Sequence, residues 1–306
     1  MAIDFKALGN KAAETGANMT VAQQGGGDYT PPAEGFCLLR LVSYVELGKQ
    51  RGTFKGVPNV KDKVQIVFEV SGPKHPPEER DGVKYPHRIG IEENLSLNEK
   101  ARFFKLFRVM NYKGDAQHMV QLLGDPFKGR IVHRKFKGKD GKERIVAELY
   151  DKELGAYTIA PPRVDVVDPD TQMPTGEVRV VNVPPALTPL KGFVWSLADK
   201  EQWDSLFIEG EYPERKNDKG EVTAPAKSKN VLQNTIKAAT NFKGSPIYTV
   251  LAQAGVPLDL TEAEVPVREE EEDGESDVAA QANAAIAKAA ATPTGADADD
   301  ALNGVI

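Results

Sequence analysis

Five cations crowd the stretch LGKQRGTFKGVPNVKDK, residues 47–63: Lys49, Arg51, Lys55, Lys61 and Lys63 stand against one acid, Asp62. Phe54 is the one aromatic there, among three glycines and a proline. Cations at this density bind phosphates, and each phosphate contact releases a counterion, which gives affinity without base preference. An exposed ring among them stacks on any unpaired base, because every base has a π-face. KFKGKDGKER, residues 135–144, repeats the type with Phe136, Lys137, Lys139 and Lys142. Arg40, Arg88, Arg130 and Arg134 extend the cationic set, and Tyr44 and Tyr150 the aromatic one. The chemistry expected of such a set is capture of a single-stranded polyanion, since a duplex hides the faces that rings stack on. A ring on a strand also serves as core filler. Phe54 has the least core to fill, whereas Phe68, in phase with Ile66 and Val70, reads as core.

Catalysis finds little support in the same text. No Gly-x-x-x-x-Gly-Lys-Ser/Thr phosphate loop occurs, and the nearest approach, GKDGKE, reads as a hairpin turn. Neither a His-Glu-x-x-His pair nor a nucleophile elbow is present. Glu92 and Glu93 are neighbours on an expected strand and would face opposite ways, so they could not share one Mg²⁺. His133 reads as structural or phosphate-facing. One cysteine, Cys37, and four scattered histidines fit no zinc site and no intrachain disulfide. No enzyme activity, cofactor or metal is expected.

The net charge of -6 hides a segregation. Residues 36–163 carry 25 Lys/Arg and 16 Asp/Glu, whereas residues 259–306 carry 13 acids against Arg268 and Lys288. A basic body with an acidic end is the layout of a polyanion binder that carries its own competitor. Glu269, Glu270, Glu271, Glu272 and Asp273, then Asp297, Asp299 and Asp300 with Ile306 as an apolar tip, are the candidate partner-docking residues. A solubilising role is the plainer alternative. No apolar run approaches the length of a membrane helix and the first 20 residues lack a signal-peptide core, so a cytoplasmic protein without a membrane partner is expected.

The elements that must position these residues follow from periodicity. Residues 1–35, rich in Gly, Ala, Gln and Asn, read as a flexible arm. FCLLRLVSYVEL is a strand with Leu39, Leu41 and Val45 on one face and Arg40 and Tyr44 on the other. KVQIVFEV alternates cleanly, and HRIGIEENLS marks a third strand at Ile89 and Ile91. A helix is expected from a capping Asn98 to near Gly114, with Ala101, Phe104 and Phe107 at helical spacing. GRIVHRKFKGKDGKERIVAELYD is a strand pair around an Asp-Gly turn.

Strand, strand, strand, helix, strand, strand is the order of the OB-fold, a mainly β, five-stranded barrel whose helix lies between strands three and four. Its oligonucleotide groove is framed by the loops joining strands one to two and four to five, and by the face of strands two and three. Both loops here are basic. Residues 36–160 are the expected OB core and 161–258 an elaboration packed on it. That elaboration comprises strands at Val164–Val167 and Val178–Val183, a Trp-bearing segment, and a helix with Val231, Ile236 and Ala239 inward. Residues 259–306 read as a disordered acidic tail.

Three segments, LVSYVELGKQ…FKGVPNVKDKVQIVFEV, GFVWSLADKEQWDSLFIEG and SKNVLQNTIKAATNFKGSP, resemble the single-stranded DNA-binding proteins of tailed bacteriophages, over about residues 35–251. The resemblance implies an OB-fold, coating of single strands in phage DNA replication or recombination, and an acidic tail that contacts replication enzymes. It places the family's basic loop on Lys49, Arg51, Lys55, Lys61 and Lys63. The chain departs from the family in ending ADADDALNGVI rather than on acids and an aromatic. The rival expectations are a phage structural or scaffold-like protein using the barrel for protein contacts, a nuclease, and a strand-annealing recombination protein.

Overall fold

The computed structural model describes residues 30–261, apart from Lys55, Asp81, Lys139, Asp140, Lys142, Gln172, Asp218, Lys219 and Glu221. Most of the expected N-terminal arm and almost all of the expected acidic tail, including Glu269, Glu270, Glu271, Glu272, Asp273, Asp297, Asp299, Asp300 and Ile306, therefore lie outside the described residues.

The fold is mainly β. Strand β1 (Gly35–Phe54) pairs antiparallel with β2 (Val57–Ser71), and β2 with β3 (His87–Asn94). Helix α1 (Arg102–Met110) follows, then β4 (Pro126–Lys137) pairs with the first six residues of β1, and β5 (Glu143–Glu148) pairs with β4. The resulting order is β3-β2-β1-β4-β5. One cluster buries a face of all five strands with α1: Leu39, Leu41 and Tyr44, then Ile66 and Phe68, Ile89 and Ile91, Phe127 and Ile131, Ala147, and Phe103 and Leu106.

No ladder joins β3 to β5 among the described residues, so the closed barrel expected from the sequence is not detected. The end of β3 is tied instead to α1 and to the chain beyond β5. Glu93 at the end of β3 accepts from the Tyr157 hydroxyl (2.6 Å) and from Arg102 Nε (2.9 Å). Burial raises the Glu93 carboxyl above its ordinary range, although Arg102 and Tyr157 both pull it down.

Three local expectations are corrected. The helix starts at Arg102 rather than after Asn98, because the Asn98 side chain accepts from Lys100 N (2.9 Å) in a turn that precedes it. Its buried stripe is Phe103, Leu106 and Met110, one residue out of phase with the expected one. The stretch 47–63 is not a loop: β1 and β2 run on as one hairpin in which Phe54 pairs with Val57. Gly56, at φ +76°, completes the two-residue link, a conformation glycine adopts without a Cβ clash.

The elaboration includes the strands β6 (Arg163–Val167) and β7 (Pro174–Val180), an antiparallel pair, and β8 (Lys191–Phe193). Strand β8 pairs parallel with β1 at Ser43–Val45. Helices α2 (Lys200–Ser205), α3 (Val231–Lys237) and α4 (Pro246–Gln253) build a second cluster on Val45 and Leu47 with Phe193, Trp203, Leu232, Ile236, Ala239, Phe242 and Ile247. Leu232, not Val231, faces inward.

Candidate nucleic-acid interface

The β1–β2 hairpin outruns the core, and its far end carries the first group of expected contacts. Lys49 pairs across strands with Asp62 (Nζ–Oδ2 3.5 Å), both half exposed, a contact worth little and easily exchanged for a phosphate. Arg51 is exposed opposite Val60. Alternation sends Phe54 and Lys61 to the other face, where the Lys61 ammonium lies 5.9 Å from the ring centroid. Phe54 is 51% exposed, and Val57 and Val60 beside it are exposed too, so no core claims this end. Lys63 is withdrawn: its side chain is only 15% exposed and meets Glu92 at 3.6 Å. Lys55 lies outside the described residues.

The β4–β5 hairpin carries the second group. Beyond Ile131, the partner of Gly35, β4 leaves β1 and continues with β5 alone. Lys137 is exposed opposite Glu143, and the Arg134 guanidinium lies 5.4 Å from the half-buried Phe136 ring while Nε donates to Glu148. Arg130 is exposed but ion-paired with Asp151. Lys139 and Lys142 lie outside the described residues. The two hairpins leave opposite ends of β1, so a strand touching both would run along the sheet.

Tyr44, Arg40, Arg88 and Tyr150 are not open contact residues. Tyr44 is fully buried: a bulge at Val42, between the pairs Leu41–Phe68 and Ser43–Val67, shifts the alternation and turns its ring into the core. Its hydroxyl donates to Glu46 Oε1 (2.9 Å), and burial, with the Glu46 charge, raises the phenol far above its usual range. Glu46 also accepts from Trp195 N (2.8 Å) and lies 3.3 Å from His118 Nε2. Arg40 donates to the carbonyls of Gly124 (2.7 Å), Val183 and Pro184 (2.8 Å), stapling the elaboration to β1. Tyr150 packs edge-on to Tyr157 and carries the Arg102 guanidinium 5.0 Å from its centroid.

Arg88 is largely buried because the outer face of β2 and β3 is covered. Glu69 of β2 accepts from Leu187 N (2.8 Å), Thr188 N (3.0 Å) and the Thr188 hydroxyl, which fixes the chain leading into β8 across that face. The face that frames an OB groove is therefore not free in this molecule. His133 is structural: its ring Nε2 lies 2.7 Å from Pro32 O, and its backbone N–H donates to Glu34 (2.7 Å).

Phe36, 49% exposed and opposite Arg130 in the ladder, escaped the sequence reading. Its signal was its phase, opposite to the buried Cys37 and Leu39. No group of three or more histidine, cysteine or carboxylate side chains is placed to hold a metal ion among the described residues. Set against models of protein families, curated proteins and solved structures, the chain matches none of them.

Proposed function

We propose that this is a sequence-tolerant single-stranded DNA-binding protein, without catalytic activity, that coats and protects strands during phage DNA replication or recombination in the host cytoplasm. The observation that carries the proposal is the far end of the β1–β2 hairpin, where Phe54 stands half exposed with Lys61 over its ring and Lys49 and Arg51 on the opposite face. A ring that fills no core, set among cations with at most weak partners, has the chemistry of a stacking platform in a phosphate-binding arm.

The order β3-β2-β1-β4-β5 with α1 between the third and fourth strands supports an OB reading, that of a barrel left open between its third and fifth strands. Because the elaboration covers the outer face of β2 and β3, contact falls to the two hairpin arms, with Phe136, Lys137 and Phe36 as the second set. The acidic stretch competes for the arms and docks on replication enzymes when DNA displaces it.

Titration of labelled poly-dT, duplex DNA and RNA at two salt concentrations tests the reading. Tight, salt-sensitive binding of poly-dT over duplex is expected. Phe54→Ala should lose about 1–3 kcal/mol of binding, about 5- to 150-fold, without lowering the melting temperature. Absence of any salt-sensitive binding to single strands would overturn it.

A further inference from the structure

Beneath the segment that covers β2 and β3 lies a half-open pocket of about 150 Å³, whose lining includes Gln65, Val67, Arg88, Thr188, Lys191 and Leu232. Half of its lining residues are aliphatic, and the rest include two cations. Arg88 and Lys191 lie close enough to repel one another, and burial with that repulsion lowers the Lys191 ammonium below its usual range. Glu69 is the acid beside Arg88, at 4.0 Å, but its oxygens already serve the amides of Leu187 and Thr188 and the Thr188 hydroxyl. Glu92, the other acid on this face, lies 3.6 Å from Lys63. Arg40, opposite Glu69 in the ladder, spends its guanidinium on three carbonyls. Arg40, Lys63, Arg88 and Lys191 thus share this face with the carboxylates of Glu69 and Glu92.

The lining also leaves polar atoms unmatched. Arg88 Nε, a donor, and Gln65 Oε1, an acceptor, are buried without a hydrogen-bond partner. Buried polar atoms of this kind are unfavourable unless something pairs with them. A ligand that repairs both must be anionic, must accept from Arg88 and Lys191, and must also donate a hydrogen to Gln65. Hydrogenphosphate does all three, whereas sulfate at neutral pH has no hydrogen to give. The pocket has room for one phosphate group.

We propose that the pocket between β2, β3 and β8 is a phosphate-binding site, taking inorganic phosphate or a terminal phosphomonoester whose remainder stays outside the mouth. The site is separate from the hairpin arms, and it does not depend on their role in binding single strands.

Isothermal titration of the full chain with inorganic phosphate and with sulfate, at matched ionic strength and neutral pH, is the primary measurement. Saturable phosphate binding at least tenfold tighter than sulfate is expected. Lys191→Met should weaken it tenfold or more, and Gln65→Leu should narrow the gap between the two anions. Lys191→Arg keeps the charge and should retain binding if Lys191→Met fails to fold. Competition by a 5′-phosphorylated dinucleotide, but not by its unphosphorylated form, would assign the site to chain ends, and failure of both to compete would assign it to the free ion. No saturable phosphate binding, or equal binding by wild type and a folded Lys191→Met protein, would overturn the proposal. Loss of oligonucleotide binding in Phe54→Ala with phosphate binding intact would leave it standing.

Discussion

Two residues of the same general type, Tyr44 and Phe54, met opposite fates on one strand. The simple alternation of β1 puts Tyr44 outside with Arg40, and one extra residue at Val42 reverses that. Nothing in FCLLRLVSYVEL announces the bulge, because its cost and benefit lie in the partner strands and in Glu46, which receives the Tyr44 hydroxyl. Phe54 was legible because exposure at the end of a polar hairpin needs no knowledge of the rest of the fold. Arg40 and Arg88 were legible as cations but not as internal ones, since the carbonyls and the covering chain that enclose them come more than 80 residues later. Cys37 makes a residue-scale prediction. It is fully buried and its thiol is pushed up to about 12, chiefly by burial. At pH 8 a disulfide reagent should label native protein only at the rate of opening, and immediately in denaturant. Rapid stoichiometric labelling of the native protein would contradict this placement.

Among the elements, the strands were the easiest to read. Clean period-two text in KVQIVFEV and HRIGIEEN placed β2 and β3, and the Asp-Gly turn placed the β4–β5 pair. Short helices fared worse: over nine residues a stripe of Phe103, Leu106 and Met110 differs from its neighbour by one position, and tertiary contact decides between them. The junction of β1 with the elaboration also depends on distant chain. Gly48 sits at φ +72°, and a Cβ there would come 2.3 Å from the Trp195 ring and 2.9 Å from Asn241 Oδ1. Backbone strain and overpacking act together, so Gly48→Ala should cost on the order of 3 kcal/mol in urea denaturation. Gly56→Ala, with open space around its Cβ, should cost only the strain of its φ, about 1 kcal/mol. Equal losses at the two positions would mean that Trp195 does not press on Gly48.

For the whole molecule, the division of charge along the sequence makes the clearest claim. A chain ending near residue 262 loses the acidic end and keeps the basic sheet, so it should bind poly-dT more tightly than the full chain. The gap should shrink as salt rises, since both the tail and the DNA compete through screened charge. Equal affinity at low salt would remove the idea of an internal competitor. One further feature bears on how the chain is made. Strand β1 has β2 along one edge, but its other edge passes from β4, through residue 40, to β8 at Ser43–Val45. On the ribosome that second stretch waits for Phe193, about 150 residues downstream, before its amides find a backbone mate. Until then the nascent protein carries a raw apolar seam at Val42–Leu47, the place where a chaperone would be needed and where a stalled product would first stick to its neighbours.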